Sequence, residues 1–173
     1  MSANDLEARL VAVEAKLAHH SDLEAIRDLM YEYGFAFDED RFDDFANCFT
    51  ENATGRYHPF APGFSGRQEI LDFCHRLRDE DSLPRLEMVI HYTVSPIIEI
   101  DGDSASGRWN WIAPCTVKRA NGDRVAAWQF GRYDVQYART SDGWKIQHQT
   151  TAYFKVFEHL EGWVRQPMMS LLS

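Results

Sequence analysis

Two residues carry most of the chemistry this chain can offer, an acid at Asp38 and an imidazole at His91. Asp38 follows the apolar run Gly34-Phe35-Ala36-Phe37. A carboxylate delivered into apolar surroundings is costly unless it is paired. His91 lies in Val89-Ile90-His91-Tyr92-Thr93-Val94, a stretch of strand type. By period two it shares a face with Val89, Thr93 and Ser95. An imidazole titrates near neutral pH, so it can take a proton from carbon next to a carbonyl. A carboxylate on its other ring nitrogen fixes the tautomer and stabilises the imidazolium that forms. Each residue alone has a plainer reading. Asp38 would be a helix-end carboxylate bonded to nearby backbone, and His91 a structural strand histidine. They become a catalytic pair only if the fold brings them together.

Other residues offer less. His148, between Gln147 and Gln149, is either a pocket donor or a plain sheet residue. Trp109, Trp111, Trp128, Phe130 and Trp144 are core material, with Trp111 also a candidate wall for a ligand. His58, His75 and His159 show no metal-ligand spacing, so no metal site is expected. The acids Glu39, Asp40, Asp43 and Asp44 read as a solvated face.

The elements that must position these residues follow from periodicity. Leu6, Leu10, Val13 and Leu17 form a narrow apolar seam on a charged leader helix over residues 1–20. It fits docking on its own domain or on another subunit, and His19-His20 interrupts it. Ser21-Asp22-Leu23-Glu24 matches a capping box, so a second helix is expected from Asp22 to Phe37. A third should cover Arg41 to Phe49, burying Phe42, Phe45 and Phe49. Thr54 to His58 reads as a short strand and Pro59 to Gly66 as a loop. A fourth helix runs to Asp79, ending the helical part at 21–80, and Asp79 to Pro84 breaks it. Strands are expected at Glu87–Ile100, Ser104–Val117, Val125–Arg139 and Trp144–Phe157. Asp101-Gly102-Asp103, Asn121-Gly122 and Asp142-Gly143 are the turns between them. The sheet thus occupies 85–158, with a tail at 159–173 where Trp163, Met168, Met169 and Leu171 are poised to lid a cavity or meet a neighbouring subunit. Helices first and a meander after is an α+β order. A long antiparallel sheet curled against helices makes a cone whose concave face can hold a ligand.

The 173 residues favour one domain, 1–173. The formal net charge of −9 comes with scattered Lys and Arg, which disfavours nucleic acid and anionic membranes as partners. Cys48, Cys74 and Cys115 suggest neither a disulfide framework nor a zinc site, and point to a reducing, cytoplasmic setting. No apolar run approaches membrane-spanning length.

The stretch Asp22-Leu-Glu-Ala-Ile-Arg27, followed by Tyr33 and Asp38, resembles the first long helix of SnoaL-like proteins, within the nuclear transport factor 2-like superfamily. His91 with Ile98-Glu-Ile-Asp-Gly-Asp103, then Gly107-Arg108-Trp109, resembles the family's first long strand and its successor. Gly131-Arg132-Tyr133 through Asp142-Gly143-Trp144-Lys145-Ile146 resembles the last hairpin. The resemblance covers essentially the whole chain and is nearest to bile acid dehydratases, more distantly to scytalone dehydratase.

It implies a cone-shaped α+β barrel, N-terminal helices packed on a curved, mostly antiparallel sheet. It also implies a homo-oligomer, a trimer ahead of a dimer, and an Asp–His pair falling on Asp38 and His91. Tyr33 and Tyr57 fall on catalytic tyrosines of the family, where a phenol donates to a developing enolate oxygen. Lys155 stands where the bile acid enzymes carry an arginine, keeping the charge but losing the bidentate fork. Cys115 stands where scytalone dehydratase has a second histidine, which speaks against that substrate. On a regular helix Tyr33 and Asp38 point about 140° apart, so they share a pocket only if the helix ends or distorts near Gly34 or if the ligand spans both.

The function expected is a cofactor-independent lyase (a dehydratase) or isomerase. Its substrate would be a small hydrophobic, cyclic, oxygenated molecule of sterol, polyketide or terpenoid type. No metal or organic cofactor is required. Two alternatives stand beside it. One is a non-catalytic ligand-binding or assembly module such as a ring-hydroxylating dioxygenase β subunit. The other is a polyketide cyclase resting more on Asp38 than on His91.

Overall fold

A computed structural model describes residues 2–58, 61–79 and 85–166. The chain opens with α1 (Ala3–Asp38), a single helix of 36 residues. The expected break at His19-His20 is absent, and the cap sits at the true start. The Ser2 hydroxyl accepts from the Asp5 N–H at 3.2 Å, and the Asp5 carboxylate accepts from the Ser2 N–H at 2.9 Å. Ser21 and Glu24 carry the same pattern, but no Gly or Pro interrupts residues 3–33 and the flanking residues are strong helix formers. Glu24 instead pairs with Arg27 one turn on.

Burial begins only at Ile26 and continues through Met30, Tyr33 and Phe37. The seam of Leu6, Leu10, Val13 and Leu17 is more than half exposed throughout. Between the two parts Asp22 pins α1 to the sheet, accepting from Trp144 Nε1 at 3.0 Å and Arg139 Nη2 at 2.6 Å. The short α2 (Phe42–Asn47) buries Phe42 and Phe45, while Phe49 opens the first strand rather than closing that helix.

The strands are β1 (Phe49–His58), β2 (Ala61–Ser65), β3 (Arg85–Val89), β4 (Tyr92–Asp101), β5 (Ser104–Lys118), β6 (Arg124–Thr140) and β7 (Gly143–Glu158). Helix α3 (Arg67–Arg78) lies between β2 and β3, and one turn, α4 (Gly162–Arg165), follows β7. The sheet order is β2-β1-β7-β6-β5-β3, with β4 also on β5. All pairs are antiparallel except β1 with β7. Helices on one face of this curved mixed sheet give the cone-shaped α+β fold. The segment read as a loop at Pro59–Gly66 contains β2. Pro59, Phe60, Met168, Met169 and Leu171 lie outside the described residues.

Period two sorts the long strands. On β5 the odd residues from Ala105 to Val117 are buried, and on β6 the odd residues from Ala127 to Tyr137. Each bulky side chain taken out of water on this face contributes roughly 2–3 kcal/mol.

Three bulges interrupt the alternation. Ser95, at φ 54°, belongs to an extra residue in β4 between Val94 and Ile97. In β7, Gln147 and Phe154 are each left unpaired against β6. The inward set of β7 therefore runs Trp144, Ile146, then Gln149, Thr151, Tyr153, and resumes at Val156. One extra residue moves everything beyond it to the other face.

Candidate active site

Helix α1 ends in a way that aims Asp38. Asp40 takes the left-handed conformation at φ 59°, the Arg41 N–H bonds Ala36 O at 2.8 Å, and the Asp40 N–H bonds Phe37 O at 3.2 Å. This is a Schellman stop, with Asp40 where glycine is usual. Asp38 is the last helical residue, and its side chain projects from the final turn toward the gap between β3 and β4.

His91 sits in that gap rather than inside a strand. Its neighbours Val89 and Thr93 do turn inward with it, but the Ser95 bulge ends the shared face there. Asp38 holds His91 by two bonds. Oδ2 accepts the His91 backbone N–H at 2.6 Å, and Oδ1 meets Nδ1 at 2.6 Å. A carboxylate accepts only, so Nδ1 carries the proton and Nε2 presents a lone pair in the neutral ring. Nε2 has no hydrogen-bond partner among the described residues. Phe37 meets the ring edge-on, 5.4 Å between centroids. Gly34 is not a helix end. It faces the β3–β4 junction, where a Cβ would make only ordinary contact with His91 Cβ at 3.6 Å and His91 O at 3.7 Å. The angular separation of Tyr33 from Asp38 stands, and it is harmless because His91 comes to Asp38 while Tyr33 faces the cavity.

His91 forms part of a cavity wall between the concave sheet face and α1, α2 and α3. The cavity offers about 90 Å³ to the centres of water-sized molecules, several times what one water needs. Its wall is aromatic, with Tyr33, Phe37, Tyr57, Trp111, Tyr133 and Tyr153 all on it. Trp111 stacks on Tyr133 at 5.4 Å and can lie there because Gly131 faces it. A Cβ on Gly131 would stand 2.5 Å from the indole and 2.2 Å from Ala152 O. The buried Trp111 Nε1–H has no hydrogen-bond partner among the described residues.

The Tyr33 hydroxyl accepts from Gln149 Nε2 at 2.8 Å. Burial raises the pKa of Tyr33, with Gln149 opposing it more weakly, and burial likewise raises Tyr57, Tyr133 and Tyr153. These phenols therefore stay protonated and act as hydrogen-bond donors.

Three expected binding residues are not on the wall. Lys155 is exposed. It has the parity of Tyr153, but the extra residue at Phe154 turns it to the outside. His148 is turned out by the bulge at Gln147, and lies in a groove on the convex face with Glu99, Arg108 and Asp134. Its Nδ1 bonds Thr54 Oγ1 at 2.8 Å and its Nε2 meets Thr150 Oγ1 at 3.3 Å. Cys115 points inward but is covered by Gln129, whose Nε2 donates to its Sγ at 3.2 Å, and burial pushes its thiol up to about 11.

Gln129, Tyr133, Thr151, Tyr153 and Arg85 line the cavity and were not anticipated. For Gln129 and Tyr133 the signal was present. Counting back by twos from Val135 places both on the inward face of β6.

A helix-backed cone with a carboxylate-held histidine in its cavity defines a class before any likeness is considered. The model of the SnoaL-like domain matches residues 18–150, and the chain belongs to that family. An uncharacterized protein of Mycobacterium tuberculosis is 31% identical over 132 residues, 75% of this chain and 84% of that one. Among solved structures, LinA superposes with a TM-score of 0.73 at 17% identity, covering 83% of this chain and 92% of LinA. A provisionally named scytalone dehydratase of Novosphingobium aromaticivorans gives a TM-score of 0.70 at 17% identity, covering 82% and 89%. These two likenesses establish the fold. No helix among the described residues is long and apolar enough to cross a membrane.

Proposed function

We propose that this chain is a cofactor-independent lyase of dehydratase type, acting on a small hydrophobic, cyclic, oxygenated molecule. The observation that carries the reading is the double clamp of Asp38 on His91, with both contacts at 2.6 Å, beside an open cavity. A structural histidine needs no carboxylate on its backbone and ring at once. His91 Nε2 takes the proton from the carbon next to a substrate carbonyl, and the electron pair moves into an enolate. Asp38 stabilises the imidazolium. The protonated Tyr57 hydroxyl and the unpaired Trp111 N–H supply donors for the enolate oxygen, with Tyr33 on the same wall. The enolate then expels hydroxide from the next carbon as His91 returns its proton, so the products are an enone and water. Lys155, His148 and Cys115 have no part in this scheme.

The substrate class is supported by the aromatic wall, and the lyase class by what the names of LinA-type dehydrochlorinase and scytalone dehydratase say of those proteins. An isomerase uses the same first step. The test is enone formation from a panel of cyclic β-hydroxy ketones. His91→Ala and Asp38→Asn should each lower turnover by about 10²–10⁴ with the fold intact. Unchanged turnover in both variants rules the mechanism out.

A second reading, a ligand-binding or assembly module, draws on the exposed seam of α1. It leaves the Asp38–His91 clamp without a purpose. We also propose a homo-oligomer, a trimer ahead of a dimer, which light scattering on the eluting peak measures. The cytoplasm is its proposed location, supported by three buried free thiols.

A further inference from the structure

We propose that Arg85 anchors an anionic group, so that the molecule held in the cavity is a hydrophobic organic acid rather than a neutral ring system. This rests on the cavity being the substrate site. Arg85 brings a guanidinium to a mostly aromatic and aliphatic wall whose other polar side chains include His91, Gln129 and Thr151. Its side chain is 18% exposed, and its Nε is buried with no hydrogen-bond partner among the described residues. A guanidinium in that state is costly unless a further acceptor arrives.

The neighbouring acid does not cancel it. Arg85 Nη2 reaches Glu87 Oε1 at 3.0 Å, but Glu87 is shared with Arg124, whose Nε lies 2.6 Å from Oε2. Among the described residues, one carboxylate between these two guanidiniums leaves an excess of one positive charge. Lys118 stands directly opposite Arg85 across the β3–β5 ladder and adds to it. The corner is basic on a chain whose formal net charge is −9, so it is the place where an anion would be drawn in.

The register also separates the anchor from the base along the sheet. Arg85 pairs with Lys118, whereas Ile90, beside His91, bonds to Pro114 O. The two levels are four residues apart on β5, roughly 14 Å of strand at 3.4 Å per residue. The anchor and the base therefore enter one cavity from different levels of the sheet, and both side chains line it. Arg85 makes no contact with Asp38 or His91 among the described residues, so its role is recognition and not proton transfer.

Calorimetric titration with naphthylacetate and with naphthylacetamide tests this, because the pair matches in shape and differs in charge. The His91 ring signals in NMR report whether the compound enters the cavity. The wild-type chain should bind the acid about tenfold or more tightly than the amide, as a charge-assisted bond requires. Arg85→Gln should bring the acid down to the amide's affinity and leave the amide unchanged. Arg85→Lys should keep most of the preference, which guards against a merely misfolded glutamine variant. Equal affinity for acid and amide in the wild type, loss of both ligands together in Arg85→Gln, or no movement of the His91 signals would each overturn the proposal. Turnover loss in His91→Ala tests the base and the acid-to-amide ratio in Arg85→Gln tests the anchor, so either can fail alone.

Discussion

His91 lines the cavity on the concave side of the sheet and His148 a groove on the convex side, and both are hydrogen-bonded, yet their surroundings differ. His91 has a carboxylate on one ring nitrogen and its backbone, and a cavity beside it. His148 has a threonine hydroxyl on each ring nitrogen and lies in a polar groove outside. The hydroxyls satisfy the ring without adding charge. The carboxylate stabilises the protonated ring and leaves the far nitrogen to do chemistry. In the proposed mechanism the partner's charge and the unspent nitrogen, not the histidine itself, separate a base from a sheet residue.

Breaking the clamp gives the largest effect. Asp38→Ala should lower turnover by about 10³ and, by leaving the part-buried His91 backbone N–H without its partner, cost about 1–3 kcal/mol in urea unfolding. Gly131→Ala tests the wall on the His91 side. Its Cβ would meet both the Trp111 indole and Ala152 O, so a loss of about 1–3 kcal/mol and a lowered Tm are expected.

The buried phenols give that side a pH signature. Their folded pKa values lie above the unfolded one of about 10. The stability they confer is complete below pH ~10 and is lost as pH rises beyond it, because only the unfolded state then releases protons. The slope is about 1.4 kcal/mol per pH unit for each such phenol, and Tyr133→Phe should reduce the fall measured by unfolding between pH ~10 and ~11. His148→Ala is the smallest change. It should leave turnover within about twofold and cost about 1 kcal/mol or less, as two neutral hydrogen bonds near solvent warrant. A large loss of turnover in that variant would break the comparison.

Much of this was legible in the residues themselves. Alternation on β5 and β6, and glycine at the turns Gly102, Gly122 and Gly143, mark the meander directly. The apolar run before Asp38 marked an acid in need of a partner. What local sequence could not show was pairing. The bulges at Gln147 and Phe154 exist only against β6, and they alone decide that His148 and Lys155 face out while Gln149 and Tyr153 face in. The helix break at Ser21 failed for the opposite reason. A capping pattern was present, but the helix propensity on both sides of it prevailed. Arg85 escaped notice because a single arginine beside a breaker segment carries no periodic signal.

The central claim is that His91, oriented by Asp38, removes a proton from carbon. Solvent deuterium exchange at the α-carbon of a cyclic ketone, followed by NMR, measures that step without the need for a leaving group. The account predicts exchange catalysed by the wild type and by His148→Ala, and lost by about 10² or more in His91→Ala. Exchange that survives in His91→Ala, or that vanishes in His148→Ala, would contradict it.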